Sequence, residues 1–118
     1  MRKHAPRWQI WIPYVRGDIY QLAAPRDTRG HEQRSNRYAV VVQSDLLPLS
    51  TWLVAPTSTS ARPTSFRPEI EVHGKATHVL IEQTAAIDPE RLGDLVGHLT
   101  TDELSAVNEA LRIVLNLA

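Results

Sequence analysis

Hydrophobic and polar positions along this chain fall into short runs separated by polar segments, a rhythm that favours strands over helices for the first hundred residues. Ile19-Tyr20-Gln21-Leu22 alternates and predicts a short, half-buried strand. Residues 38–43, Tyr-Ala-Val-Val-Val-Gln, are nearly unbroken and β-branched, which predicts a strand covered on both faces. Residues 51–56 read as a second such strand after a connection over 46–50. Glu69-Ile70-Glu71-Val72 alternates strictly, Gly74-Lys75 marks a turn, and residues 79–87 form the returning strand. The polar segments 24–36 and 57–68, with their Ser, Thr, Pro, Gly and Arg, predict loops. No helical pattern separates the strands, so parallel crossovers are excluded and a small antiparallel barrel is expected.

The period changes at Thr100. Thr100-x-x-Glu103 is the signature of a capping box, and Leu104, Val107, Leu111, Val114 and Leu115 then align as one stripe of a helix. Ala106, Ala110, Ile113 and Leu117 widen that stripe, while Ser105, Asn108, Glu109, Arg112 and Asn116 hold the rest of the circumference. A helix lying on a small barrel needs a narrower apolar face, so part of this one is expected to meet another subunit. The architecture expected is therefore mainly β with one long C-terminal α-helix, as a homodimer.

Composition narrows the class further. A chain of 118 residues, 42% hydrophobic, suits one domain with one core. No stretch approaches the roughly 18–20 apolar residues that span a bilayer, no secretory signal is evident, and cysteine is absent, which together predict a cytoplasmic protein without membrane contact. Residues 1–15 mix Arg2, Lys3, His4 and Arg7 with Trp8, Ile10, Trp11 and Ile12, and read as an N-terminal extension ahead of a single domain over 16–118. The formal net charge is zero, yet residues 1–37 hold 8 Lys+Arg against 3 Asp+Glu, and residues 38–118 hold 5 against 10. The first third is thus suited to a polyanion.

Within that basic third, Gly30-His31-Glu32-Gln33 and Arg37 bring together a group that exchanges protons near neutral pH, a carboxylate, and a permanent planar cation matched to phosphate. Cleavage of RNA through its own 2′-hydroxyl needs a base, a cation for the phosphate and an acid for the 5′-oxygen, with no metal or other cofactor. Arg37 is the candidate for the phosphate; His31, Glu32 and Glu82 are candidates for proton transfer or orientation. Single-stranded bases also need flat partners and a basic surround, which Tyr20, Tyr38, Trp52 and Phe66 with Arg26, Arg29, Arg34, Arg62 and Arg67 offer, although Trp52 reads as core. If the two polar loops flank one groove, Arg37 lies at its floor. His4, His73, His78 and His98 lack metal-ligand spacing, and Glu69 and Glu71 read as the wet side of a strand.

In order, these segments resemble the MazF/PemK family of toxin endoribonucleases over residues 16–118. Arg16-Gly17-Asp18-Ile19-Tyr20 is similar to the family's opening strand, and Gly30-His31-Glu32-Gln33 with Arg37 to the loop and strand start that follow, the histidine resembling the PemK/Kid branch. Val54-Ala55-Pro56-Thr57-Ser58, Val79-Leu80-Ile81-Glu82-Gln83 with Ile87-Asp88 and Arg91-Leu92, and Val107-x-Glu109-Ala110-Leu111 complete the set. Two positions depart from the pattern: Tyr38 stands where the family usually has proline, and Leu80 where the Kid branch has an arginine. The resemblance implies an SH3-like barrel of the CcdB/PemK kind, a homodimer, metal-independent cleavage of single-stranded RNA to 2′,3′-cyclic phosphate and 5′-hydroxyl ends, and inhibition by a cognate antitoxin. It makes Ser58 the hydroxyl that donates to phosphate, with Thr57 and Thr59 one residue away as alternatives. The antitoxin is expected to cover the basic groove with a disordered, acidic-hydrophobic segment. Two rivals stay in view, a CcdB-like gyrase poison without nuclease chemistry and a non-catalytic SH3-like RNA- or protein-binding module.

Overall fold

The computed structural model describes residues 14–22, 37–47 and 49–118. Seven strands and one helix follow in order: β1 (Asp18–Leu22), β2 (Tyr38–Val41), β3 (Trp52–Ser58), β4 (Glu69–Val72), β5 (Lys75–Val79), β6 (Ala85–Ile87), β7 (Leu92–His98) and α1 (Thr101–Leu115). They make one antiparallel sheet in the order β4-β5-β3-β2-β1-β7, with β6 also paired to β3. The sheet is a half-barrel backed by the C-terminal helix, as the strand pattern predicts.

The apolar runs explain why β2 and β3 are central. Val40, Val42 and Ala55 join Ile19, Ile70, Val72, Val79, Ile81 and the helix residues Val107 and Ala110 in one cluster. Ala39, Val41, Trp52 and Val54 point the other way, into a second cluster with Tyr14, Tyr20 and Leu92. Each fully buried Ile, Val or Leu contributes about 1.5–3 kcal/mol relative to exposure, so two-sided burial makes this pair the rigid platform of the fold. Tyr14, in the segment read as an extension, is buried beside the Trp52 ring, and its hydroxyl meets the carbonyls of Ser44 and Leu47 and accepts from Gln43 Nε2 at 2.7 Å.

Four details differ from the sequence expectation. Residues 79–87 are not one strand: β5 ends at Val79, a 3-10 turn covers Ile81–Gln83, and β6 resumes pairing. The turn buries Ile81, and β3 pairs with β5 through Thr57 and Ser58 but with β6 through Trp52 to Val54, so the turn spans the gap between the two pairings. The hairpin turns at His73-Gly74, one residue earlier than predicted, both with positive φ (54° and 78°), as a two-residue type I′ connection needs. The segment 57–68 is not wholly loop, because β3 runs on to Ser58. β7 was not anticipated, since Gly93, Asp94 and Gly97 dilute its strand signal. Gly93 answers to a close approach: a Cβ there would lie 3.3 Å from Gln21 Cβ.

α1 starts as predicted. The Thr100 hydroxyl accepts the Glu103 N–H at 3.1 Å, and Glu103 Oε1 accepts the Thr100 N–H at 2.9 Å. Glu103 Oε2 also accepts the Glu71 N–H of β4 at 2.9 Å, tying the first helical turn to the outermost strand of the sheet. Val107 and Ala110 are buried, with Leu104 and Leu111 packed beside them. The rest of the apolar stripe is uncovered, with Ile113 51%, Val114 37%, Leu115 59% and Leu117 57% exposed. At the opposite end of the sheet the fully buried Asp18 carboxylate accepts the Val15 N–H at 2.9 Å and meets His98 Nδ1 at 3.0 Å. Among the described residues no helix is long and apolar enough to cross a membrane.

Candidate active site

The central strands separate where β2 begins. Ala39 pairs with Pro56 and Val40 with Ala55; carried two residues further, that register sets Tyr38 against Thr57 and Arg37 beside Ser58. The backbone ladder gives way there to side chains. Tyr38 N–H is accepted by the Thr57 hydroxyl at 3.1 Å, and Arg37 Nε donates to the Thr57 carbonyl at 3.3 Å. Arg37 is exposed, its stem is held by that bond, and among the described residues no carboxylate pairs with it. A fork of N–H donors is thus presented at a strand end without a counter-ion among the described residues, which suits it to a phosphate oxygen.

The three neighbouring hydroxyls have different fates. Thr57 is buried, 1% exposed, and its oxygen is engaged by Tyr38, so it supports the strand and does not face a substrate. This corrects its reading as an RNA contact. Ser58 lies on the opposite side of the strand, half-exposed, with its oxygen 3.3 Å from the Ser60 N–H and hydroxyl. Thr59 is exposed and lines a cavity of about 400 Å³ with Tyr38, Val72, His73, Lys75 and Thr77. Tyr38 itself packs against the helix-side core and meets the His73 ring edge-on at 6.1 Å. Its ring is a wall of that cavity more than an open platform for bases.

Glu82 lies on the 3-10 turn and not within a strand, and it is committed. Arg67 Nε and Nη2 both reach its Oε2, at 2.9 and 2.5 Å, and the guanidinium stacks 5.7 Å over the Phe66 ring. The Arg67 hydrogen bonds hold the Glu82 carboxyl below the ordinary carboxylate range. A carboxylate kept ionised and doubly bonded is a weak proton acceptor and no donor near neutral pH, so its reading as a base is replaced by a loop-fastening role. Arg67 is correspondingly engaged; Arg62 is exposed and lends its carbonyl to Arg67 Nη1 at 3.3 Å.

His31, Glu32, Arg26, Arg29 and Arg34 lie outside the described residues, as does the expected groove wall formed by 24–36. Sequence reasoning passed over His78. It is the register partner of Ser58 on β5, and of Glu69 on β4. The signal was present in the strand period: with Val79 turned to the core, its predecessor faces the side that carries Ser58.

A half-barrel of this topology agrees with what comparison with known proteins gives. The family profile of the PemK-like, MazF-like toxin of type II toxin-antitoxin systems matches residues 15–115, and the chain belongs to that family. A Mycobacterium tuberculosis protein described as a candidate toxin is 42% identical over 104 residues, 87% of this chain and 98% of its own length. The endoribonuclease EndoA of Bacillus subtilis is 31% identical over 110 residues, 86% of this chain and 94% of its own length. Among solved structures, a mycobacterial endoribonuclease in complex with its cognate antitoxin superposes with a TM-score of 0.71 at 17% identity, covering 89% of this chain and 97% of that one.

Proposed function

We propose that this chain cuts single-stranded RNA without a metal, by attack of the 2′-hydroxyl on the adjacent phosphorus, leaving 2′,3′-cyclic phosphate and 5′-hydroxyl ends. The observation that carries this reading is an exposed Arg37, with no carboxylate partner among the described residues, bonded to the Thr57 carbonyl next to Ser58 at the mouth of the two central strands. Arg37 neutralises the charge that builds on the phosphate oxygens, and Ser58 donates to one of them. Base abstraction from the 2′-hydroxyl falls to Glu32 or His31. Thr59 and Arg62, with Arg26, Arg29 and Arg34, hold the strand on either side. The working unit is residues 16–118, with 1–15 appended, acting in the cytoplasm as a homodimer joined in part through the uncovered stripe of α1. Its antitoxin covers the basic groove with an acidic-hydrophobic segment; that a structural relative is held in complex with a cognate antitoxin supports such a partner.

Substitution Arg37→Ala tests the reading directly. Loss of one such electrostatic group lowers the single-turnover rate on a long unstructured RNA about 10²–10³-fold. A variant that still arrests growth as fully as the parent protein would favour a CcdB-like gyrase poison, and a protein that binds RNA in molar excess yet leaves it whole would favour a non-catalytic module.

A further inference from the structure

We infer that His78 is the acid that protonates the leaving 5′-oxygen, an inference that rests on the nuclease reading above. Ser58 on β3, His78 on β5 and Glu69 on β4 form one transverse row, a hydroxyl, an imidazole and a carboxylate, and Arg37, one residue ahead of β2, is tied to the same end of β3 by its bond to the Thr57 carbonyl. Directly opposed residues of antiparallel strands project to the same face, so Ser58, His78 and Glu69 share one side of the sheet. Strands lie about 4.8 Å apart, which sets Arg37 and His78 roughly 10 Å apart at the backbone, a gap two long side chains and one phosphodiester fill.

The state of the ring is the second observation. The His78 side chain is 15% exposed, its Nδ1 is buried with no hydrogen-bond partner, and Nε2 stands 3.9 Å from Glu69 Oε1, too far for a hydrogen bond. Leaving a buried ring nitrogen unpaired costs about 1–3 kcal/mol, and such a group in a folded protein calls for a reason other than stability. With Nδ1 enclosed, Nε2 is the nitrogen available to a substrate. Glu69 is the register partner of His78 on β4 and Ser58 on β3, with Glu71 two residues along β4 from Glu69. Glu69 is the positioning residue that steers the ring. Among the described residues three other titratable groups are excluded by their surroundings. Glu82 is held ionised by Arg67, His98 is bound to Asp18 on the far strands, and His73 lies in the hairpin turn against Tyr38.

In the step assigned here the 2′-oxygen forms its bond to phosphorus while the bond from phosphorus to the 5′-oxygen breaks. The 2′-hydroxyl proton passes to the base of the nuclease reading, and the proton on His78 Nε2 passes to the departing 5′-oxygen. The products are the cyclic phosphate, a 5′-hydroxyl and a neutral imidazole, which regains its proton from water.

Two versions of one single-stranded RNA, carrying a site first mapped with the parent protein, test this: the natural phosphodiester, and the same linkage with sulfur as the 5′-bridging atom. A thiolate leaves without protonation. His78→Gln is expected to lose about 10²–10⁴-fold in single-turnover rate on the oxygen linkage and to come within several-fold of the parent on the sulfur linkage. Glu69→Gln, a milder change should His78→Gln fail to fold, is expected to show a smaller loss with the same relief by sulfur. Equal loss on both substrates, or no loss on the oxygen one, overturns the inference while leaving the nuclease reading intact. A parent protein that cleaves neither RNA overturns both.

Discussion

Thr57 and Ser58 are adjacent hydroxyls on opposite sides of one strand, and exchanging each for its closest apolar counterpart should separate folding from catalysis. Thr57→Val keeps the shape of the side chain but removes the only side-chain acceptor of the Tyr38 N–H, at a position 1% exposed. A buried N–H left without a partner costs about 1–3 kcal/mol, slightly offset by the added methyl. Against a total stability of about 5–15 kcal/mol, this corresponds to a fall in Tm of roughly 3–15 °C for a domain of this size. Ser58→Ala removes a hydroxyl bonded only to Ser60 at 3.3 Å and half open to water, so its Tm should move by less than about 2 °C. Activity should order the other way, with Ser58→Ala slow on RNA while melting like the parent, and Thr57→Val cutting at near-parent rate below its own transition. Thermal melts followed by circular dichroism, with single-turnover cleavage at 20 °C, read both quantities. The assignment of the two hydroxyls fails if Thr57→Val melts with the parent, or if it abolishes cleavage while Ser58→Ala does not.

Further outcomes follow from other parts of the structure. Because Arg67 lowers the folded-state pKa of Glu82 relative to the unfolded chain, the pair stabilises the fold above the ordinary carboxylate range, and that stabilisation disappears as pH falls through the lowered value. Glu82→Gln should therefore flatten the decline of Tm on acidification, and an unchanged profile would refute the pairing. The four uncovered residues at the end of α1 together expose the equivalent of about two whole side chains, so burying them between subunits contributes roughly 3–6 kcal/mol per protomer. Leu115→Glu should shift the protein toward monomer in sedimentation; an unaltered dimer would move the interface elsewhere. Removing the buried Asp18 carboxylate as Asp18→Ala should cost about 1–3 kcal/mol in urea unfolding, since it strips both the Val15 N–H and His98 of their acceptor; a change below about 0.5 kcal/mol would refute that role.

What the sequence disclosed was governed by local pattern. The valines of β2, the alternation of Glu69 to Val72 and the capping pair of α1 carry their own periodicity, and each folds as that period dictates. Arg37 and Ser58 were identifiable as candidates, and their adjacency emerges from a strand pairing between two clearly apolar runs. What stayed hidden depends on partners distant in the chain. The break at Ile81 to Gln83 reads as strand because its residues are apolar, and only the divided pairing of β3 with β5 and β6 interrupts it. The capture of Glu82 by Arg67 bridges a loop whose path no local rule supplies. The alignment of His78 with Glu69 hangs on where the hairpin turns: the predicted Gly74-Lys75 turn would set His78 against Glu71, two residues along.

Glu103 acts at two margins at once. One of its oxygens completes the start of α1, and the other occupies an amide at the outer border of β4, a border that otherwise offers itself to any extended peptide. Such a border is a seed for fibrils and for misplaced strands from a neighbouring molecule. Here a single carboxylate gives the exposed lip of the sheet a built-in stopper.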